Sequence, residues 1–557
     1  MDFNKNNLYK EIKNFNLEEL KQLTLFIRNK ISNIASTRQI HYASNLGVVE
    51  LVISIAKVFD LEQDTFLIEG GYASYAYKMI TNRMKQIDTL RTTNGIEGYM
   101  NHKESKFDKF GSAHLGDTIS MVAGLSVETN NYIICVVGDG AISNGEAFEA
   151  INNIATLKRK KLIIILNDND MFISPPVGGI SYSLRNNTHL FNSLGYKYIG
   201  PINGNDIPTL INSLETVKKE ANDKTVMLHI KTIKGLGEDK AEKDKVGYYH
   251  VAGNSNEKQP YSKIIADYLK EKTNKDKSIH VINPAMTVGL NFNEYEKEFP
   301  NNYHDVGISE QYAVSYASGL YLANKKPVLA FYSTFLQRSY DQLLQNISRN
   351  SFPLLLLSCR ADLSPGDGDT HHGIYDLSML KSIPNTNIVS PRNIDQIHWC
   401  IDQGLINKNN EIYTIRIPKV PFVDETVPSK KIIEGQWEWM KDNHKATKCI
   451  ISYGPYCDLI YQNIKDNNDV DLVNALFVNK YDVSNLEKIF NKYQKIIIYE
   501  RVYQDVLALD FYKYSNQVSS NIKIISMNFK SFPGMGDQEY VDKKNKMSIN
   551  DILEKVI

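Results

Sequence analysis

The sequence predicts an α/β protein: three α/β domains built on mainly parallel sheets. Short β-branched apolar runs alternate with amphipathic, helix-like stretches over the whole chain, the pattern of layered βα units. The runs also end directly in polar or glycine-bearing sequence, as strands of an open α/β sheet do where ligands gather at their carboxyl ends. In order, the predicted strands span residues 132–137, 162–166, 225–231, 327–332, 354–359, 387–390, 448–453, 495–499 and 522–527. The first ends in Gly138-Asp139-Gly140, the second in Asn167-Asp168-Asn169, the fourth in Ser333-Thr334-Phe335 and the fifth in Arg360-Ala361-Asp362. Residues 240–261 are charged and then rich in Gly, Asn and Pro, and residues 419–435 hold Pro421, Pro428 and Lys430-Lys431. Both read as linkers, which sets domains at 1–255, 256–425 and 426–557.

A chain of 557 residues is long enough for about three such domains. Lys+Arg and Asp+Glu both number 64, so no basic field points to nucleic acid. Five scattered cysteines without a CxxC indicate neither a zinc site nor a disulfide framework; Cys135 and Cys359, inside apolar runs, read as small core residues. The first seven residues lack a signal-peptide core, and no apolar run reaches membrane-spanning length. The expectation is a cytoplasmic enzyme with small-molecule partners, no nucleic acid and no membrane.

The chemistry starts at Gly138-Asp139-Gly140 and Asn167-Asp168-Asn169. Asp139 and Asn169 supply hard oxygen ligands, and the main-chain carbonyl of Met171 is the expected third. Mg²⁺ accepts so small a protein set because phosphate oxygens and water complete its octahedron. Gly138 and Gly140 let the backbone approach a diphosphate. The spacing is the one that thiamine-diphosphate enzymes use. Such a cofactor needs a carboxyl group against its aminopyrimidine ring to set the tautomer that removes the thiazolium C2 proton. Glu310, opening the predicted helix 311–322, is the candidate.

The chain resembles the 1-deoxy-D-xylulose-5-phosphate synthase family. The segments that carry the likeness are residues 41–47 (HYASNLG), 138–173, 332–338 (YSTFLQR) and 366–373 (GDGDTHHG). The resemblance implies a transketolase-like fold whose first domain holds diphosphate and Mg²⁺, whose second faces the pyrimidine, and whose third stabilises a homodimer. It implies a decarboxylative condensation of pyruvate with glyceraldehyde 3-phosphate, in the service of isoprenoid and thiamine precursors. By the same likeness, His41, His114 and His371 join Glu310 as catalytic residues. Lys234, Tyr332, Phe335 and Arg338 join Gly138, Asp139, Gly140 and Asn169 on the cofactor. Arg360, Arg416, Asp367 and His250 would bind the acceptor, the two guanidiniums clamping its phosphate.

The match breaks at several pocket positions. Tyr72 stands where the family has histidine, Ala113-His114-Leu115-Gly116 replaces Gly-His-Ser-Ser, Tyr312 follows Glu310-Gln311 in place of histidine, and Lys419 replaces an arginine. The stretch 173–190 is much shorter than the family insertion. A paralogue with another 2-oxo acid or aldose, or a transketolase, therefore stays open beside the main reading.

Overall fold

The computed structural model describes residues 2–127, 129–157, 159–171, 177–186, 190–244, 251–252, 260–419 and 427–557. It divides into two compact units, Met1–Asn256 with Val306–Ser309 and Glu257–Asp305 with Glu310–Ile557. The expected boundaries at 255/256 and 425/426 lie outside the described residues.

The first unit carries β1 (Ile40–His41), β2 (Thr65–Ile68), β3 (Ile133–Gly138), β4 (Leu162–Asp168), β5 (Lys197–Asn203), β6 (Val226–Lys231) and β7 (Val251–Ala252). Five of them form a parallel sheet in the order β2-β3-β4-β6-β5, while β1 and β7 pair apart and antiparallel. Leu162 to Leu166 are wholly buried, which is why β4 reads as a continuous apolar run: a central parallel strand is covered on both faces. Helices Leu17–Ala35, Val49–Val58, Gly145–Thr156 and Ile207–Glu220 contribute to the same core. The first opens on a capping box, Asn16 with Glu19. In register, Gly138 lies opposite Asn167, so the GDG and NDN turns leave the sheet side by side.

The second unit carries two sheets. The first contains β8 (Ile279–Asn283), β9 (Tyr303–Asp305), β10 (Lys326–Tyr332), β11 (Leu354–Cys359), β12 (Thr386–Val389) and β13 (Ile412–Ile417), all parallel in the order β12-β13-β11-β10-β8-β9. The other contains β14 (Glu438–Lys441), β15 (Lys448–Ser452), β16 (Val470–Asn474), β17 (Lys495–Tyr503) and β18 (Lys523–Phe529), in the order β14-β16-β15-β17-β18 with only β14 antiparallel. Main-chain bonds Ser390 N to Leu476 O and Val478 N to Ile388 O, both 2.9 Å, join the two sheets. Buried ion pairs reinforce the junction. Arg392 meets Glu438 and Asp458, and Arg501 meets Asp362 at 2.8 Å.

All nine strands expected from the sequence are present, with ends shifted by up to a few residues. The five cysteines are free and buried, as expected of Cys135 and Cys359. Among the described residues no helix is long and apolar enough to cross a membrane.

Candidate active site

In the first unit, the ends of β3 and β4 bring the expected metal ligands to one edge. Asp139 is 3% exposed; its N–H donates to the Asn167 carbonyl at 3.2 Å and its Oδ1 accepts from Gly140 N at 3.1 Å. Burial, and then the nearby Asp168, push its carboxyl up to about 8. Lys234, in the loop after β6, is pulled down to about 8 by burial, against the opposing pull of Asp139. A buried carboxylate with so little compensation is what a divalent cation would satisfy. Asn169 Oδ1 accepts from Met171 N at 3.1 Å, which folds the NDN turn on itself. Among the described residues no cluster of three or more His, Cys, Asp or Glu could hold a metal. The expected set is instead one carboxylate, one amide and one carbonyl.

Asp168 faces inward. His229, wholly buried on β6, reaches Asp168 Oδ2 through Nε2 at 3.0 Å and Tyr198 Oη through Nδ1 at 2.5 Å. Burial raises the Asp168 carboxyl, but the His229 bond, the Asp170 N–H and the nearby His229 and Lys231 charges together hold the group below the usual carboxylate range. This buried relay had no motif to announce it. It braces the turn that presents Asn169.

His41, at the end of β1, is buried against two phenol rings. Tyr72 lies at 5.6 Å between ring centroids and Tyr99 at 5.2 Å, with the Tyr99 hydroxyl 3.5 Å from Nε2. The Tyr72 hydroxyl comes within 3.9 Å of where a Cβ at Gly138 would stand. The residue at which the likeness breaks thus packs against the Gly138–Gly140 turn, where the diphosphate is expected. His114 sits in a turn whose Gly116 N donates to Glu69 Oε1 at 2.9 Å. Gly116 has φ +115°, and a Cβ there would lie 2.2 Å from Asn144 Oδ1, so glycine alone fits. His250 lies outside the described residues.

In the second unit, Glu310 begins the helix Glu310–Leu322 and is 4% exposed. Its Oε2 has no hydrogen-bond partner, and the closest cation is Arg338 Nη1 at 3.9 Å. Burial raises its carboxyl, with Arg338 opposing. An orphaned buried carboxyl oxygen is costly, and it suits a ring nitrogen of the expected cofactor. Tyr332, ending β10, stacks on Phe335 at 5.9 Å, and the Phe335 ring meets the edge of His371 at 5.7 Å. Arg360 lies over the Tyr332 ring at 4.2 Å and is 4.0 Å from Asp367. Its φ of +54° is rare for a side-chain-bearing residue and is the kind of local strain that collects at functional sites. A Cβ at Gly373 would lie 2.2 Å from the Arg360 carbonyl oxygen and 2.8 Å from Ser333 Cβ, so three segments meet at one backbone point. Tyr332, Phe335, Arg360, Asp367 and His371 are thus linked through neighbouring contacts, and the Glu310–Arg338 pair follows them, Arg338 being three residues beyond Phe335.

Arg416 does not join them in the way expected. It is 3% exposed; its Nε holds both oxygens of buried Asp376 at 3.1 Å, and its Nη2 donates to the carbonyls of Gly373 and Arg501. With its Nε–Nη2 edge turned onto buried acceptors the guanidinium braces the structure, and that edge is closed to a phosphate. The sequence hid this because Asp376 lies far from β13 along the chain.

The 1-deoxy-D-xylulose-5-phosphate synthase family model matches residues 3–189. Models of the transketolase thiamine diphosphate binding and pyrimidine binding domains match residues 122–259 and 257–420. A 1-deoxy-D-xylulose-5-phosphate synthase of Malacoplasma penetrans (strain HF-2) is 37% identical, covering 98% of each chain. Its counterpart in Aquifex aeolicus (strain VF5) is 33% identical over 88% of this chain and 87% of that one. With these matches, running nearly end to end, the chain belongs to the 1-deoxy-D-xylulose-5-phosphate synthase family.

Proposed function

We propose that the chain joins pyruvate to glyceraldehyde 3-phosphate, releasing CO₂ and forming 1-deoxy-D-xylulose 5-phosphate, with thiamine diphosphate and Mg²⁺ as cofactors. The observation that carries the reading is Glu310, a buried carboxyl with an unpartnered Oε2 and Arg338 as its neighbouring cation. When bound, thiamine diphosphate supplies the carbon nucleophile and electron sink for decarboxylation. Asp139, Asn169 and the Met171 carbonyl would hold Mg²⁺, and Gly138, Gly140 and Lys234 would face the diphosphate. Glu310 would keep a proton at Oε2 for the pyrimidine ring, with Arg338 tuning its charge. Tyr332 and Phe335 offer aromatic faces for packing.

Arg360 is the phosphate-binding cation of this reading, with Asp367 placed for acceptor hydroxyls. His371, His41 and His114 are proposed to move protons at donor or acceptor oxygens, and His250 to assist binding. We assign the chain three domains, at 1–255, 256–425 and 426–557, and a cytoplasmic location. A homodimer is supported by the helix Glu310–Leu322, which leaves Tyr312 56% and Leu322 68% exposed; sedimentation of the purified protein tests it.

The function is tested by mixing the protein with thiamine diphosphate, Mg²⁺, pyruvate and glyceraldehyde 3-phosphate. Equimolar CO₂ and a pentulose phosphate are expected. No CO₂ from that mixture refutes the assignment. Tyr72 beside Gly138 is the specific observation favouring a different donor or acceptor, so a panel of 2-oxo acids and aldoses completes the assay.

A further inference from the structure

His372 follows His371 in sequence but points elsewhere. Its side chain is wholly buried, and each ring nitrogen has a main-chain partner. Ser364 N donates to Nδ1 at 3.0 Å, and Nε2 lies 2.9 Å from the Gly534 carbonyl oxygen. A backbone N–H can only donate and a carbonyl can only accept. The geometry therefore fixes the neutral tautomer with its proton on Nε2. Burial, which disfavours the charged ring, acts in the same direction.

The preceding peptide group is also held. Gly534 N donates to Asp369 Oδ1 at 2.6 Å, so His372 and Asp369 together take the N–H and the C=O of residue 534. Nearby, Gly536 N donates to the Pro365 carbonyl at 3.1 Å. A Cβ at Gly368, whose φ is +73°, would stand 3.3 Å from Met535 Cβ. The 533–536 segment is itself tied to the helix Gln538–Lys544 and its end, since Asn545 Nδ2 donates to the Pro533 carbonyl at 3.1 Å. The contacts of His372, Asp369, Pro365 and Gly368 with this segment all belong to the loop 364–373, which carries Asp367 and His371.

We propose that His372 is a positioning residue: with Asp369 it clamps the two peptide groups flanking the Gly534 Cα and so sets the loop that presents Asp367 and His371 to the acceptor aldehyde. This rests on the acceptor role given to those two residues above. Within the loop, Asp367 N and Gly368 N donate to Ser364 O, His371 N to Gly368 O and Ser364 N to His372 Nδ1. From outside it is held by Thr334 Oγ1, which donates to the Thr370 carbonyl at 3.1 Å, and by the 533–536 segment. Acceptor recognition then depends on a segment following β18, whereas the diphosphate-binding turns of the first unit do not share these contacts.

The test compares His372→Ala, His372→Gln and Asp369→Ala with the unaltered holoenzyme. Expected for His372→Ala and Asp369→Ala is a rise of tenfold or more in KM for glyceraldehyde 3-phosphate, with KM for pyruvate and thiamine diphosphate binding within twofold. His372→Gln, whose amide can still donate to Gly534 O, should recover most of the loss. Hydrogen exchange adds a readout independent of turnover: Ser364 and Gly534 amides should exchange at least tenfold faster in His372→Ala, with amides of β3 and β4 unchanged. An unchanged acceptor KM in a folded His372→Ala protein overturns the proposal, as does an equal rise in both KM values. If the unaltered enzyme makes no pentulose phosphate, the assigned reaction fails instead, and the exchange result still decides whether the clamp exists.

Discussion

Replacing Arg416 with methionine separates a phosphate clamp from a structural brace. The substitution keeps the apolar stem and removes the guanidinium, leaving Asp376 buried with Ser358 Oγ, at 2.9 Å, as its remaining side-chain donor. Removing one partner of a buried ion pair costs about 3–5 kcal/mol, because the other charge is left without compensation. The lost bonds from Nη2 to the Gly373 and Arg501 carbonyls act in the same direction. With a urea slope of about 3 kcal/mol/M, the midpoint should fall by about 1–1.7 M. All three tryptophans, Trp399, Trp437 and Trp439, belong to the second unit, so intrinsic fluorescence follows the unit that the substitution strikes. The double variant Arg416→Met with Asp376→Leu, which removes both charges, should regain much of the loss. A midpoint within 0.3 M (about 1 kcal/mol) of the unaltered protein, together with a large rise in acceptor KM, would refute the brace and restore the clamp.

Three further outcomes follow from the site and its surroundings. Glu310→Gln should bind thiamine diphosphate with near-normal affinity by calorimetry yet lose turnover by about 10²–10⁴-fold, the range for removing a general acid–base group; undiminished turnover would remove Glu310 from the mechanism. Asp139→Asn should weaken Mg²⁺-dependent cofactor binding at least tenfold in the same titration, and an unchanged affinity would move the metal elsewhere. The third concerns His280 and His304, stacked at 5.2 Å with Nδ1 and Nε2 2.9 Å apart. Burial, then the neighbouring ring, pulls His280 down to about 4. The unfolded ring binds its proton near pH 6.5 while the folded one resists, so this contribution to stability is complete above about 6.5 and declines until pH 4. Partial exposure screens its size. Urea midpoints from pH 7.5 to 4.5 should fall less steeply in His280→Gln, and parallel slopes would remove the pair from the account.

Most of the architecture was legible because parallel strands buried on both faces are written as unbroken apolar runs, as in Leu162 to Leu166. Some strands escaped although they are interior, namely Ile279–Asn283, Ile412–Ile417 and Val470–Asn474, and others were short or at edges. Thr65–Ile68 and Tyr303–Asp305 are too brief to show a period, and Lys197–Asn203 is broken by Gly200-Pro201 and largely unburied. Within the site, strand-terminal residues such as Asp139 and Arg360 were visible from their place in the run. Tyr99 beside His41, the Tyr198–His229–Asp168 relay and the Asp376 partner of Arg416 were not. Each joins residues distant in sequence through the tertiary fold, and a single chain holds no local signal of such a pairing. Arg416 shows the hazard: the family likeness suggested a ligand-facing cation, but burial and hydrogen bonding decided its role.

The five sequestered thiols turn the protein into its own opening gauge. Cys135 sits on β3, three residues before Gly138, whereas Cys359, Cys400, Cys449 and Cys457 all lie in the second unit. An alkylating reagent can reach them only through transient exposure. Peptide-resolved labelling over time would therefore time the opening of the two units separately, without an introduced probe. Added cofactor should slow the Cys135 adduct, which gives a stopwatch for ligand engagement in a chain whose natural tryptophans all report on the other unit.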